Sequence, residues 1–173
     1  MDSFDNIFYK ELVFEDLGFL TRRPYNELLS SNFFRININN PLGCSISDAS
    51  SFFEKISDVA SQFGIYRENK PIPLALVRFG QINNLFQSVD VSLLVICNDD
   101  LDVISHSIKE LIELLSCSSR VNKFYTMLTQ LELEERHVFI SLGFKLEMTF
   151  PKYFYYQGFY HDVSVYNLLM GHE

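Results

Sequence analysis

The sequence has no tryptophan and is poor in glycine, proline and cysteine, with 7, 5 and 3 of these residues among 173. The cysteines are odd in number and form no C-x-x-C pair, so we expect neither a disulfide framework nor a zinc site. The longest apolar run, Leu93 to Cys97, has five residues and is too short to cross a membrane. The first segment, MDSFDNIFYK, is polar and acidic, unlike a signal peptide. We therefore expect a cytoplasmic protein without membrane contact.

Basic residues are also scarce. Lys and Arg total 14 against 22 Asp and Glu, which gives a formal net charge of −8 at pH 7. Proteins hold nucleic-acid phosphates mainly through clustered Lys and Arg, so we expect neither nucleic acid nor an anionic membrane as a partner. The four histidines have no metal-ligand spacing with each other or with the cysteines, and no metal is predicted.

Large apolar side chains are plentiful. Apolar residues make up 47% of the chain and include 17 Phe and 9 Tyr, enough for a substantial core. Eight of the aromatic residues fall between Phe150 and Tyr166. No Gly-, Ser- or Pro-rich linker and no repeat divides the chain, so we expect a single domain over residues 1–173.

Hydrophobic periodicity predicts a mixed α/β (α+β) fold with a sheet of about seven strands and helices on both faces. The predicted strands are Ile7–Phe14, Phe34–Ile38, Ile65–Arg67, Ile72–Phe79, Gln87–Cys97, Val121–Leu128, Lys145–Tyr156 and Tyr160–Leu169. The predicted helices are one from Pro24, one from Ser47 through Phe63 to a stop at Gly64, Leu101–Cys117 and Leu131–Leu142. The predicted turns are Glu68–Lys70, Asn83–Asn84 and Gln157–Gly158.

Helix ends can be assigned from capping residues. Thr129-x-x-Glu132 has the pattern of a capping box, and Gly143 lies where a C-cap glycine is expected. Asp100 and Asp102 fit the N-cap and first turn of the helix that begins near Leu101. If they cap that helix, its end is not vacant for a phosphate.

The C-terminal half resembles the end of the GNAT superfamily of N-acetyltransferases. LGFKLE at Leu142–Glu147, the turn Gln157-Gly158, Asp162 and Tyr166-Asn-Leu-Leu169 are similar to the family pattern L-G-F-x-x-E-G, G-x-y-x-D and Y-x-L-L. Arg67 to Val95 looks like the second and third strands and the start of the fourth. The resemblance covers roughly residues 60–169, and it is greatest to the subgroup that acetylates ribosomal-protein N-termini, spermidine and similar amines.

This resemblance implies a GNAT-like, mostly antiparallel sheet and acyl transfer from acetyl-CoA or another acyl-CoA to a primary amine. In the family, pantetheine pairs with the exposed edge of the fourth strand, and the pyrophosphate lies at the N-terminus of the next helix. The corresponding residues of this chain are Leu94, Val95, Ile96, Val103, Ile104 and Ser105.

The sequence departs from the family pattern at four places. The segment Asn98–Ile104, where the family has a glycine-rich phosphate turn, holds three carboxylates and no glycine. Phe139 stands where many members place a tyrosine that protonates the leaving thiolate, and a phenyl ring has no proton to give. Glu132 replaces an Asn that touches the cofactor, and its expected role here is to partner Thr129. Met148 replaces the second glycine of the L-G-F pattern.

Amine acetylation requires a proton acceptor for the attacking nitrogen. Asp90 matches a family Glu on the fourth strand that serves this role in some members, and the alternative is a strand residue that faces solvent or pairs with Lys or Arg. His161 and Asp162 are further catalytic candidates on the last strand, although such an Asp more often fixes the hairpin. Cys97 is interpreted as a core thiol rather than a nucleophile.

Tyr153, Tyr155 and Tyr160 are candidates to line an acceptor pocket, with a packed core or a partner surface as the alternative. Two classes of function remain. The first is an N-acyltransferase acting on a small-molecule or peptide amine, with its donor on CoA or on an acyl carrier protein. The second is a catalytically inactive GNAT-fold binding or assembly protein. A homodimer is compatible with either class.

Overall fold

The computed structural model describes residues 7–12 and 61–171. The predicted helix from Pro24, the predicted strand Phe34–Ile38 and most of the predicted helix from Ser47 lie outside these residues. Within the described ranges, no helix is both long enough and apolar enough to span a bilayer.

In the described residues, seven strands form one sheet in the order β1-β2-β3-β4-β5-β7-β6. They are β1 Ile7–Glu11, β2 Ser61–Arg67, β3 Ala75–Phe79, β4 Ser88–Val95, β5 Lys123–Thr129, β6 Lys145–Tyr156 and β7 Phe159–Leu169. Every neighbouring pair is antiparallel except β4 and β5, which are parallel. The prediction of a mixed, mostly antiparallel sheet is confirmed.

Among residues 61–171, two helices pack on one face of this sheet. A short 3₁₀ turn, Asn98–Asp100, leads into α1, Leu101–Ser119, and α2 spans Leu133–Ser141. Both contribute to one hydrophobic cluster with the odd-numbered side chains of β4, and Ile104, Ile108 and Phe139 are fully buried in it. The even-numbered side chains of β4, including Asp90, project from the opposite face because strand residues alternate.

The parallel pairing of β4 with β5 is brief. It comprises Ser88 with Lys123, Val89 with Phe124 and Asp90 with Tyr125. Beyond this last pair, β4 continues to Val95 and β5 to Thr129 without pairing to each other. We call the resulting gap the β4–β5 cleft.

The prediction of a helix through Phe63 that stops at Gly64 is wrong, because residues 61–67 form β2. Phe63 pairs with Val77 on one side and Glu11 on the other, so strand pairing overrides the helical periodicity of the local sequence. Gly64 permits a close contact, since a Cβ there would lie 2.5 Å from the Tyr66 ring.

The Thr129–Glu132 turn forms much as the capping box predicts, but α2 begins two residues later than expected, at Leu133. The Glu132 carboxylate accepts hydrogen bonds from the Thr129 N–H (2.7 Å) and hydroxyl (3.0 Å). The Thr129 hydroxyl accepts from the Leu131 N–H instead of an N–H further along the helix. The predicted role of Glu132 as the partner of Thr129 is thus confirmed. Gly143 adopts the left-handed backbone (φ +89°) of a capping glycine directly after Leu142, the C-cap residue of α2.

The C-terminal hairpin forms as predicted. Gln157 (φ 50°) and Gly158 (φ 86°) occupy the turn with left-handed backbone, as a two-residue type I′ turn requires. The pairing of β6 with β7 is irregular between Phe150 and Phe154, and Lys152 adopts φ 52° there.

Candidate active site

The base of the β4–β5 cleft brings Asp90 and Tyr125 together. Directly paired residues project to the same face of a sheet, so the two side chains lie side by side where the strands separate. On the other side of β4, the Gly80 N–H donates to the Asp90 carbonyl at 3.0 Å. Gly80 makes room for the carboxylate, because a Cβ there would lie 1.8 Å from Asp90 Oδ1.

A buried cation lies close to this carboxylate. Arg78 is 5% exposed, and its guanidinium donates to the Ser92 hydroxyl at 2.8 Å on the same face of the sheet. Burial raises the pKa of Asp90, and the charge of Arg78 partly opposes that rise. Burial and the Asp90 charge together raise the pKa of Tyr125. Because a raised pKa makes a carboxylate a better proton acceptor, Asp90 is suited to remove a proton from an amine.

One edge of β4 faces the cleft. The Gly80 N–H bonds the Asp90 carbonyl, and the Ile96 N–H bonds the Leu74 carbonyl at 2.8 Å. In an antiparallel ladder this places the even-numbered backbone groups toward β3 and the odd-numbered ones toward the cleft. The Val95 N–H, which points into the cleft, donates to Glu135 Oε1 at 3.0 Å.

Glu135 is a buried carboxyl on the first turn of α2. It is 7% exposed, and burial raises its pKa from 4.5 to about 7, opposed by the Val95 hydrogen bond and reinforced by the like charges of Glu132 and Glu134. Phe139 lies one helical turn further along the same face and is fully buried. The tyrosine position of the family pattern is therefore filled by a packed phenyl ring.

Asp100 occupies the predicted N-cap position of α1 and Asp102 lies in its first turn, but the expected capping by the Asp100 side chain does not occur. Asp100 makes no side-chain cap hydrogen bond. The Asp100 carboxylate instead accepts a hydrogen bond from the Arg67 guanidinium of β2 through Oδ1. Its Oδ2 accepts from the Cys97 thiol at a distance of 3.5 Å. Arg67, which is distant in sequence, competes with the helix amides for the Asp100 carboxylate. Asp102 is an exposed residue of the first turn. The start of α1 is consequently not closed by the Asp100 side chain.

The six cofactor-binding candidates lie along the end of β4 and the start of α1. Val103 and Ile104 point into the core at 3% and 0% exposure, so only their backbone is available to a ligand. Ser105, also in the first turns of α1, is half-buried, and its hydroxyl lies 2.9 Å from the Ser141 hydroxyl of α2. Leu94 and Val95 are buried and Ile96 is half-buried.

His161 and Asp162 lie on β7, away from the base of the cleft. His161 is buried, with Nδ1 3.1 Å from Gln130 Nε2 and Nε2 3.3 Å from the Tyr156 carbonyl. Asn167 is the β7 partner of Tyr125, and His161 precedes Asn167 by six residues. His161 is therefore about 20 Å along the strand from the pair formed by Tyr125 and Asn167. The structure therefore does not bring His161 to Asp90.

The Asp162 carboxylate points to the hairpin backbone and accepts from the Lys152 N–H at 2.7 Å. The tyrosine candidates form exposed ring pairs on the same hairpin: Tyr155 and Tyr160 have centroids 5.0 Å apart, and Tyr153 lies 5.2 Å from Phe150. These side chains form a surface of the hairpin separate from the base of the cleft.

Four residues of the site were not found by sequence reasoning: Arg78, Gly80, Tyr125 and Glu135. In the sequence, Arg78 and Tyr125 have the pattern of polar residues in ordinary strands. Only the pairing of β3 and β5 with β4 places them beside Asp90. Glu135 carries the one detectable signal. It precedes the buried Phe139 by four residues and so places a carboxyl on the apolar face of a short helix.

Comparison with known proteins gives a consistent architecture at low sequence identity. The spermidine N-acetyltransferase of Vibrio cholerae, solved with CoA and spermine, superposes with a TM-score of 0.73 at 18% identity over 95% of each chain. The ribosomal-protein-S5-alanine acetyltransferase of Vibrio fischeri gives 0.70 at 14% identity, over 97% of this chain and 95% of that one.

A third solved structure, the microcin C7 self-immunity acetyltransferase with acetyl-CoA and AMP, gives a TM-score of 0.70 at 19% identity over 96% of this chain and 93% of that one. No protein-family model and no curated sequence matches the chain.

Proposed function

Because the chain has the fold of the GNAT acetyltransferases, we propose that it is an N-acyltransferase that transfers an acyl group from a CoA thioester to a primary amine. The observation that carries this proposal is the separation of β4 from β5 directly beyond Asp90, a partly buried carboxyl with a raised pKa. The separation leaves a strand edge for an extended donor beside a group suited to deprotonate an acceptor.

The acceptor is proposed to be a cationic amine. A chain with a formal charge of −8 attracts cations and raises their local concentration near its surface. The similar solved structures include an enzyme named for spermidine and one named for an alanine of ribosomal protein S5. A polyamine and a peptide amine are therefore the first acceptors to test.

The proposed reaction removes two protons from a cationic amine and gives one to the leaving thiolate. Asp90 takes the first proton from the ammonium group, the freed nitrogen attacks the thioester carbonyl carbon, the carbon–sulfur bond breaks, and the nitrogen loses its second proton to solvent as the amide forms. The leaving thiolate takes its proton from solvent, because Phe139 offers none. Asp90 returns its proton to solvent, which restores the resting carboxylate and balances the transfer.

The test is release of free thiol from acetyl-CoA in the presence of spermidine, spermine or a peptide with an N-terminal alanine. Asp90→Asn keeps the shape of the side chain but removes the base, and we expect turnover to fall by about 100-fold or more with unchanged Tm. Glu110→Gln, on the exposed side of α1, is the matched control and should behave as wild type. Equal turnover of Asp90→Asn and wild type would reject Asp90 as the base.

A catalytically inactive binding protein is the second candidate. It is favoured by the exposed aromatic side chains of the C-terminal hairpin, with Tyr155, Phe159 and Tyr160 at 54%, 71% and 63% exposure. Absence of thiol release with every acceptor, in a folded preparation that binds acetyl-CoA, would favour this candidate.

A further inference from the structure

The Glu135 carboxylate lies inside the cleft that the proposed function assigns to the donor. It comes from α2, forty residues further along the chain than its partner, and accepts the Val95 N–H at 3.0 Å. Val95 is the last residue of β4, and its N–H belongs to the edge that faces the cleft. Both residues are buried, so little space remains beside this hydrogen bond.

We propose that Glu135 closes the donor-binding part of the β4–β5 cleft in the resting protein, and that an acyl thioester binds fully only when this side chain leaves the Val95 amide. The inference rests on the proposed function, since it concerns where the donor of that reaction binds. It adds a residue that controls donor affinity and that has no part in the proton transfers assigned above.

The conflict between Glu135 and a donor is both steric and electrostatic. An amide N–H has one hydrogen, and an acceptor binds it at about 2.9–3.0 Å, a position that Glu135 Oε1 already fills. A donor carbonyl placed on the same edge would lie against the carboxylate oxygens, and a CoA pyrophosphate nearby would add repulsion between like charges. The donor must therefore displace a charge-assisted hydrogen bond, which is about twice as strong as a neutral one.

α2 is held so that this side chain stays directed at β4. The Asn98 side-chain amide, in the turn before α1, donates to Glu134 Oε1 at 3.2 Å. The Ser105 and Ser141 hydroxyls join α1 to the end of α2 at 2.9 Å. These contacts flank Glu135 on either side, so the helix is fixed and the movement required of Glu135 is a rotation of its own side chain.

The test is calorimetric titration with acetyl-CoA at pH 8 of wild type, Glu135→Ala and His137→Ala. Removing the carboxylate should strengthen acetyl-CoA binding about 10- to 100-fold, the factor expected for release of one hydrogen bond to a charged group. His137 is an exposed residue of the same helix, and its alanine variant should bind as wild type. Equal affinities of wild type and Glu135→Ala, or no binding by a folded Glu135→Ala, would overturn the proposal.

Glu135→Gln keeps the test decisive if the alanine variant does not fold. The glutamine amide retains the length of the side chain and an oxygen for the Val95 N–H, but it accepts as a neutral group. Its affinity for acetyl-CoA should therefore exceed that of wild type and remain below that of Glu135→Ala. An affinity equal to that of wild type would count against Glu135 as the closing residue.

Thiol release measured on the same variants separates this inference from the proposed function. Tighter binding by Glu135→Ala without turnover in any variant would support the closing role and reject the transferase. Equal binding by all variants together with turnover would reject the closing role and support the transferase.

Discussion

Glu135 should make the stability of this protein depend on pH in a way that one substitution removes. Burial raises the pKa of this carboxyl from 4.5 to about 7 in the folded state. The folded protein therefore binds a proton more tightly than the unfolded chain does, and stability falls as the pH rises. The full contribution is present below about pH 4.5, declines between about pH 4.5 and 7, and is lost above that range.

The size of this effect follows from the same two values. A tenfold difference in proton affinity is worth about 1.4 kcal/mol, so a pKa displaced from 4.5 to about 7 corresponds to about 3 kcal/mol. Glu135→Gln cannot ionise, but it keeps an oxygen for the Val95 N–H. The free energy of unfolding of the variant, minus that of wild type, should therefore increase by about 3 kcal/mol between pH 4 and pH 8.

Urea unfolding of both proteins across that pH range measures the difference, and other titrating groups cancel because they are common to the two chains. In thermal melts, the same change should appear as a divergence of about 6–12 °C in Tm for a domain of this size. Glu113→Gln, an exposed carboxylate on α1, is the control and should follow wild type throughout. A difference between Glu135→Gln and wild type that stays constant with pH would refute the raised pKa of the buried Glu135 carboxyl.

Two further substitutions probe the positions of the site residues. Gly80→Ala places a Cβ 1.8 Å from the present position of Asp90 Oδ1, so the carboxylate must move. We therefore expect thiol release to fall at least tenfold while Tm changes little. Unchanged turnover would show that the position of Asp90 is not critical. Asp162→Ala removes the acceptor of the Lys152 N–H and should lower Tm by about 2–4 °C, the effect of one ordinary hydrogen bond. Loss of turnover without a change in Tm would instead support a chemical role for Asp162.

The strands and helices of the C-terminal two-thirds were largely predictable from local sequence. α1 begins at the predicted Leu101, and the last hairpin turns at the predicted Gln157-Gly158, because helix periodicity and left-handed turn residues are local properties. Local pattern was misleading at residues 61–64, where apolar residues with helical spacing pair as a strand between β1 and β3. That pairing depends on partners distant in sequence, which a window of neighbouring residues does not contain.

For the site, the sequence by itself determined the presence of a carboxyl on β4, the lack of glycine before α1 and the absence of a proton donor at Phe139. Only the tertiary structure placed Tyr125 and Arg78 beside Asp90, turned Asp100 toward Arg67 and directed Glu135 onto the Val95 amide. The physical reason is that residue type and spacing fix the chemical groups and their local backbone. Strand register and helix packing decide which of those groups meet, how deeply they are buried and therefore which protons they hold.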